Sequence, residues 1–285
     1  MARAAGNGTG QPAQRRSSIQ NGSDRDLTGQ PANGGAMPQI PGMAPGVATV
    51  PAALTKDATA ENLTPRSNDL PPFAIGPNSL RTAAAKGDPS AEFEVGARFA
   101  EGRGVAQDLQ QAVTWYQRAA AQGFAPAQYR LGSMFERGLG VKPDLAKARV
   151  WYQRAAEQGI VKAMHNLAVL TAGRDTAMTD YATAGKWFRA AADFGLTDSQ
   201  FNLAIMYDSG LGLERDAKEA FKWFSLAARA GDEEAARRRE SLRQKLQANE
   251  VMVVEAELAN WRPKSADQAV NDPRFAGDAW KKSAR

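Results

Sequence analysis

The stretch AVTWYQRAAAQG at residues 112–123 returns as ARVWYQRAAEQG at 148–159, AGKWFRAAADFG at 184–195 and AFKWFSLAARAG at 220–231. Its tryptophans, Trp115, Trp151, Trp187 and Trp223, stand 36 residues apart. So do the glycines Gly123, Gly159, Gly195 and Gly231, with Gly87 one period earlier. Tryptophan and glycine recurring in register mark a tandem repeat. Within the stretch, Ala112, Trp115, Tyr116, Ala119 and Ala120 fall at i, i+3, i+4, i+7 and i+8, which is one face of an α-helix. The glycine that follows ends that helix in the left-handed C′ position.

Working outward, each unit carries a second helical pattern upstream, clearest over 126–137. Its small column is Ala91, Ala127, Ala163 and Ser199, and its aliphatic column is Val95, Leu131, Leu167 and Leu203. One residue further on stand Gly96, Gly132, Ala168 and Ala204, small enough for a neighbouring helix to approach closely. The two helices are joined by Gly102-x-Gly104, Gly138-x-Gly140 and Gly210-x-Gly212, each followed by an apolar residue (Val105, Val141, Leu213). Glycine permits positive φ in such a tight connection. Asp108, Asp144, Asp180 and Asp216 then sit where a carboxylate can cap the second helix. The units are 87–122, 123–158, 159–194 and 195–230. The third breaks the loop pattern with Arg174-Asp175-Thr176-Ala177, so its helices should persist and its loop should be reshaped.

The flanks read differently. Residues 1–77 hold ten of the fifteen prolines, ten glycines and a single aromatic, Phe73. Such a segment cannot offset a backbone entropy of about 1–2 kcal/mol per residue by burial, and it reads as a disordered linker. The cluster Arg15-Arg16-Ser17-Ser18 has the basic flank of a phosphorylation site but reads as solvated charge in a disordered tail. Asn78 reads as the N-cap of a capping helix over 79–86, within a cap spanning 78–86. Beyond Gly231 two helices, 232–247 and 250–261, should close the other end over 231–262, the second with Val251, Val254, Leu258 and Trp261 on one face. Pro263 ends it, and 263–285 reads as a loosely structured tail.

Composition removes several functions. The net charge of +5 is mixed rather than blocky, which disfavours nucleic acid as a partner. With no cysteine there are no disulfides, thiol nucleophiles or thiolate metal sites. The charge-free stretch 27–55 is interrupted by five prolines and offers no run of about 20 apolar residues, so no direct membrane insertion is expected. Residues 1–20 lack the apolar core of a secretory signal.

The Gly-x-Gly-Val loops, the Leu131-Gly132-x-x-Phe135 stretch and Trp115-Tyr116-x-x-Ala119-Ala120-x-x-Gly123 together resemble the Sel-one-like repeat, a relative of the tetratricopeptide repeat. The resemblance implies an all-α solenoid: antiparallel helix pairs stacked in a right-handed superhelix, with the first helices lining a concave face that binds protein. One helix pair cannot bury its aromatic face alone, so neighbours must cover it. More narrowly, Ala74-Ile75-Gly76-Pro77-x-x-Leu80-Arg81-x-Ala83-Ala84, Phe93 to Arg98, and Trp261-Arg262-Pro263 after the repeats resemble the C-terminal region of alphaproteobacterial PodJ-type polar localisation factors. That likeness implies a periplasmic position and a role in cell polarity or envelope organisation. The missing signal core leaves the cytoplasm as the alternative.

No nucleophile–base set, metal-ligand spacing or phosphate loop appears, so neither catalysis nor a cofactor or metal site is expected. The Gly-x-Gly elements follow helices rather than strands and are turns. Cysteine-rich members of the repeat family have been linked to β-lactam hydrolysis, but there is no Cys and no Ser-x-x-Lys here. The single histidine, His165, shares a column with Phe93, Tyr129 and Phe201 and reads as an aromatic packing residue. The tryptophans read as core, and the basic run Arg237 to Arg239 with Arg243 and Lys245, near Glu233, Glu234 and Glu240, as a salt-bridged surface. The better partner-binding candidates are the column Glu94, Arg130, Asn166 and Asn202, together with Arg174 and Asp175 of the altered loop. Side-chain amides there could pair with donor and acceptor of an extended peptide. The expected function is a non-catalytic protein–protein interaction scaffold, with a peptidoglycan-associated envelope protein as the alternative.

Overall fold

The computed structural model describes residues 70–174 and 179–283. The linker reading of 1–69, the Arg15–Ser18 cluster and Asp175-Thr176-Ala177 lie outside the described residues. A 3₁₀ turn, Phe73–Ile75, precedes α1 (Asn78–Ala85). Four helix pairs follow: α2 (Pro89–Glu101) with α3 (Leu109–Ala121), α4 (Ala125–Arg137) with α5 (Leu145–Glu157), α6 (Val161–Val169) with α7 (Tyr181–Asp193), and α8 (Thr197–Ser209) with α9 (Ala217–Arg229). Helices α10 (Glu233–Arg243) and α11 (Ala248–Asn260) come next, then three short turns of helix: α12 (Gln268–Asn271), α13 (Pro273–Asp278) and α14 (Trp280–Ser283). No strand occurs among the described residues. Each helix packs on the one before and the one after it from α1 to α10, which makes the domain an α-solenoid.

The 36-residue ladder is a ladder of helix ends. Gly87, Gly123, Gly159, Gly195 and Gly231 all have φ between 84° and 100°. In each case the next residue's N–H reaches back to a carbonyl in the last helical turn, as Phe124 does to Ala119 at 3.1 Å, closing a Schellman motif. Asp108, Asp144, Asp180 and Asp216 cap α3, α5, α7 and α9 through their side chains, as their position predicts. The second glycine of each loop is needed for approach. A Cβ on Gly140 would overlap the Leu109 carbonyl at the start of the preceding unit's second helix, and one on Gly212 would overlap Tyr181.

The tryptophans are core residues, with one exception. Trp115, Trp151 and Trp223 are buried, whereas Trp187 is half-buried. Trp187 belongs to the unit with the altered loop. There α6 ends four residues short of its counterparts and continues as a π-helical turn, Leu170–Arg174, with Gly173 at φ 141°. The loop still closes in the usual place, because Asp180 N–H donates to the Thr171 carbonyl as Asp108 does to Phe99.

Three boundaries differ from the sequence reading. Asn78 is the first residue of α1 and Pro77 precedes it, so Asn78 caps nothing. Order also reaches upstream of 78: Ile75 is fully buried and its carbonyl accepts from Arg98 at 2.6 Å. A Cβ on Gly104 would press on the Ala74 carbonyl, as Gly140 does on Leu109, so 73–75 occupies the place where a preceding second helix would begin. Finally, the described part of the expected 263–285 tail, up to residue 283, is not loose. It carries α12 to α14, and Ala276 and Trp280 are buried.

Candidate functional site

The first helices α2, α4, α6 and α8 begin beside the ladder glycines, and their surface is where a partner would lie if the family likeness holds. Each carries an aromatic or His that packs on the second helix of its own unit. Phe93–Tyr116, Tyr129–Tyr152, His165–Phe188 and Phe201–Phe224 have ring centroids 5.5 to 5.9 Å apart. His165 therefore does fill an aromatic position. Its Nδ1 lies 2.8 Å from Ser199 Oγ, and burial lowers its pKa, keeping it neutral.

The candidate column does not form one open row. Glu94 is held by Arg98 (2.7 Å) and Arg103 (3.1 Å), and its side chain is 12% exposed. Arg130 is half-buried, with its charge near the Tyr116 hydroxyl of the preceding unit. Asn166 is likewise half-buried and donates to Tyr152 of the preceding unit. Asn202 is only 4% exposed, so it cannot present an amide to a ligand, a correction to its reading as a surface position. The column stands one residue before the aliphatic core position, and at Arg130 and Asn166 it borders the tyrosine of the preceding unit's second helix. Arg174 lies at the end of the π-helical turn, and Asp175 is outside the described residues.

A second polar layer, missed in the sequence, lies buried between the helices. Glu92 is 1% exposed and receives Arg118 at 2.8 Å and Gln122 at 2.7 Å. Burial raises its pKa and the Arg118 guanidinium opposes that rise. Gln128 and Gln200 occupy the same place and donate to the Ala120 and Ala192 carbonyls. Glu92 ties together the two helices of its own unit, Gln128 and Gln200 join successive units, and none of the three is available to a partner. The basic run behaves as read: Arg237 and Arg238 pair with Glu234, and Arg243 with Glu255.

The first-helix surface is closed at both ends by the chain itself. At the fourth unit Phe201 is buried, with the Arg238 guanidinium of α10 over its ring at 5.9 Å. Helix α11 packs on α9 through Val251, Val254 and Leu258, tied by Lys222–Glu257 at 2.9 Å. At the first unit Phe93 is 1% exposed, packed by Tyr116, Phe124 and the C-terminal segment. A Cβ on Gly277 of α13 would lie 3.0 Å from Glu94 Oε2 and 3.8 Å from Phe93. Between the ends, Tyr129, Arg130 and Ser133 of α4 and His165, Asn166 and Val169 of α6 remain half-exposed.

The C-terminal segment runs back along the row in the reverse order of the units. Lys264 N–H donates to the Asp193 carbonyl at 2.8 Å, and Pro263 lies against Gly195. Asn271 then bridges the start of α6: its Oδ1 accepts from Val161 N–H at 2.9 Å and its Nδ2 donates to Gly159 O at 3.0 Å. This is an N-cap supplied from 110 residues away. The interior first helices have Phe124, Ile160 and Leu196 at their N-cap positions and no side-chain cap, whereas Asp88 and Asp232 cap α2 and α10. The helix that ends at Asn271, α12, meets α4; beyond it α13 lies on α2, and α14 with Trp280 closes on α1 and α2. Segments of four to six residues show too little periodicity to be read as helices in advance, so Asn271, Ala276, Gly277 and Trp280 gave no signal.

Among the described residues no group of three or more His, Cys, Asp or Glu side chains could hold a metal ion, and no helix is long and apolar enough to cross a membrane. The family described as Sel1 repeat matches residues 89–124, 125–160, 161–195 and 197–232. Among solved structures, a Sel1 repeat protein from Oxalobacter formigenes is 35% identical with a TM-score of 0.52, the match covering 57% of this chain and 47% of that one. The protective antigen c5321 of uropathogenic Escherichia coli, which displays an SLR fold, is 21% identical with a TM-score of 0.34, covering 72% of this chain and 58% of that one. The chain thus spans about half the length of the solved structures it matches. No curated protein matches it.

Proposed function

Because the chain belongs to the Sel1 repeat family, whose repeats are generally protein-interaction scaffolds, we propose that it holds a partner protein on its first-helix face and performs no chemistry itself. The observation that carries this reading is the open middle of that face. Tyr129, Arg130 and Ser133 on α4, and His165, Asn166 and Val169 on α6, are half-exposed side by side while both ends are covered. Such a patch combines aromatic area with an amide and a guanidinium, the mixture that recognises an extended peptide. A photo-crosslinking residue at Ser133 should trap a partner protein in cells, whereas one at Gln153, exposed on the second helix α5, should not. Equal trapping at both positions would reject the first-helix face. Within this reading, the likeness of the flanks to PodJ-type factors supports a place in cell polarity or envelope organisation outside the inner membrane. A fluorescent fusion spread evenly through the cell would remove that assignment.

A further inference from the structure

We propose that residues 264–283 are a resident ligand of the first-helix face and that a partner enters by displacing them. This rests on the reading of that face as the binding surface, and it names the chemistry the face accepts. The ligand is a peptide with an asparagine, an Ala-Gly pair five and six residues on, and a tryptophan nine residues on, as in Asn271, Ala276, Gly277 and Trp280.

Four observations support it. First, the segment contacts α6, α4, α2 and α1 in turn, so it lies along the row of units as a bound peptide would. Second, its grip is selective. Ala276, Gly277 and Trp280 are buried and Asn271 caps α6, while Arg274 and Phe275 point outward, Phe275 with 56% exposure. Third, its helices of four, six and four residues are below the length that is stable alone, so the face supplies their order. Fourth, the positions it covers on α2 are open one unit on: Phe93 and Ala97 are buried, whereas their second-unit counterparts Tyr129 and Ser133 are half-exposed. The cap α11 packs through Val251, Val254 and Leu258 into the core shared by the third and fourth units. Gly195 also fits. Of the five ladder glycines it is the one where a Cβ would meet a neighbour, Pro263 at 3.1 Å, at the point where the segment crosses.

A resident ligand lowers apparent affinity by the fraction of time it occupies the face, so about 90% occupancy weakens a competitor about tenfold. The test uses the full chain and a fluorescent peptide of residues 264–283, read by anisotropy. Gly277→Glu places a carboxylate against Glu94 and should release the segment. The variant is expected to bind the added peptide about tenfold more tightly than the unmodified chain, by the same relation. A peptide that itself carries Gly277→Glu should bind neither protein. Equal binding to both proteins, or no binding to the variant, overturns the proposal. Trp280→Ala gives the same contrast without added bulk. Loss of cooperative folding in both variants would make the segment a structural cap and equally overturn it. Crosslinking at Ser133 separates the two readings: it should rise in Gly277→Glu, and unchanged crosslinking without peptide binding rejects displacement while leaving the interaction face in place.

Discussion

Gly132→Ala tests how closely the paired helices approach. Ala is the better helix former by about 1 kcal/mol, so on an exposed helix this change would stabilise. Here a Cβ would stand 2.5, 2.7 and 3.0 Å from three atoms of the Tyr152 ring, which is itself fully buried. Overpacking of that kind costs about 1–3 kcal/mol. Three atoms in overlap place this case in the upper half, leaving a net loss of about 1–2 kcal/mol after the helix gain. For a folded region of this size that corresponds to a fall in Tm of roughly 2–8 °C. The units carry their own control. Gly96 and Gly132 face Tyr116 and Tyr152, whose rings make 41° and 40° with the first-helix aromatic. Ala168 and Ala204 stand in the same column, where the partners Phe188 and Phe224 are turned to 65° and 69°. The Tyr152 hydroxyl donates to Glu136 at 2.7 Å, which restrains the ring from moving aside. Tyr152→Phe removes that tie, so Gly132→Ala/Tyr152→Phe should be more stable than the sum of the single losses by at least about 0.5 kcal/mol. Urea unfolding followed by circular dichroism on the four proteins measures the cycle. A raised midpoint for Gly132→Ala, or strict additivity, would show that the ring does not set the glycine.

Trp151→Ala should cost about 3–5 kcal/mol as a large-to-small core change, and Trp187→Ala distinctly less because Trp187 is half-buried; equal melting temperatures for the two variants would contradict that ranking. The pKa of His165 is lowered by burial, so the unfolded chain takes up its proton first and stability should fall as pH drops below about 6.5. His165→Phe, matching Phe93 and Phe201, should flatten that part of the Tm–pH curve, and an unchanged slope would refute it. The pKa of Asp180 is lowered by the Thr183 N–H, so its stabilisation is present above the ordinary carboxylate range and lost in more acid solution. Asp180→Asn keeps an N-cap acceptor but not the charge, so it should reduce the acid slope below about pH 4 and lower Tm only slightly at pH 7.

What could be read in the sequence was whatever the 36-residue period repeats. The ladder glycines, the Asp caps and the Trp faces recur because every unit solves the same packing problem, and register alone exposes them. The third unit's reshaped loop was legible for the converse reason, as a break in that register. Asn202 and Glu94 were misplaced because periodicity says which residues share a face of their own helix, not what the neighbouring unit sets against it. Arg130 and Asn166 meet the tyrosines of the preceding second helices, and nothing in their own helix announces this. The 3₁₀ turn at Phe73–Ile75 was hidden by the prolines around it. Order there comes from Arg98 and Gly104 in the following unit rather than from local propensity.

The same contrast explains why the two ends of the row differ from its middle. In a solenoid each unit is covered by its neighbours, and a terminal unit lacks one of them. At one end the chain supplies α10 and α11, and the charged pairs Arg237–Glu234 and Arg238–Glu234 turn an outer face toward water. At the other it supplies 73–75, α1 and the returning segment, with Trp280 placed against α1 and α2. Asn271 shows how the middle differs. Where Asp88 and Asp232 close the terminal first helices from within, the interior helices leave that position to Phe124, Ile160 and Leu196, and α6 takes its cap from a distant part of the chain. A cap taken from outside a helix can be exchanged for another of the same chemistry, whereas an Asp built into the helix start cannot. Of the interior first helices, α6 is the one completed by another segment of the chain, which is why the displacement proposed above would expose a helix start as well as an apolar face.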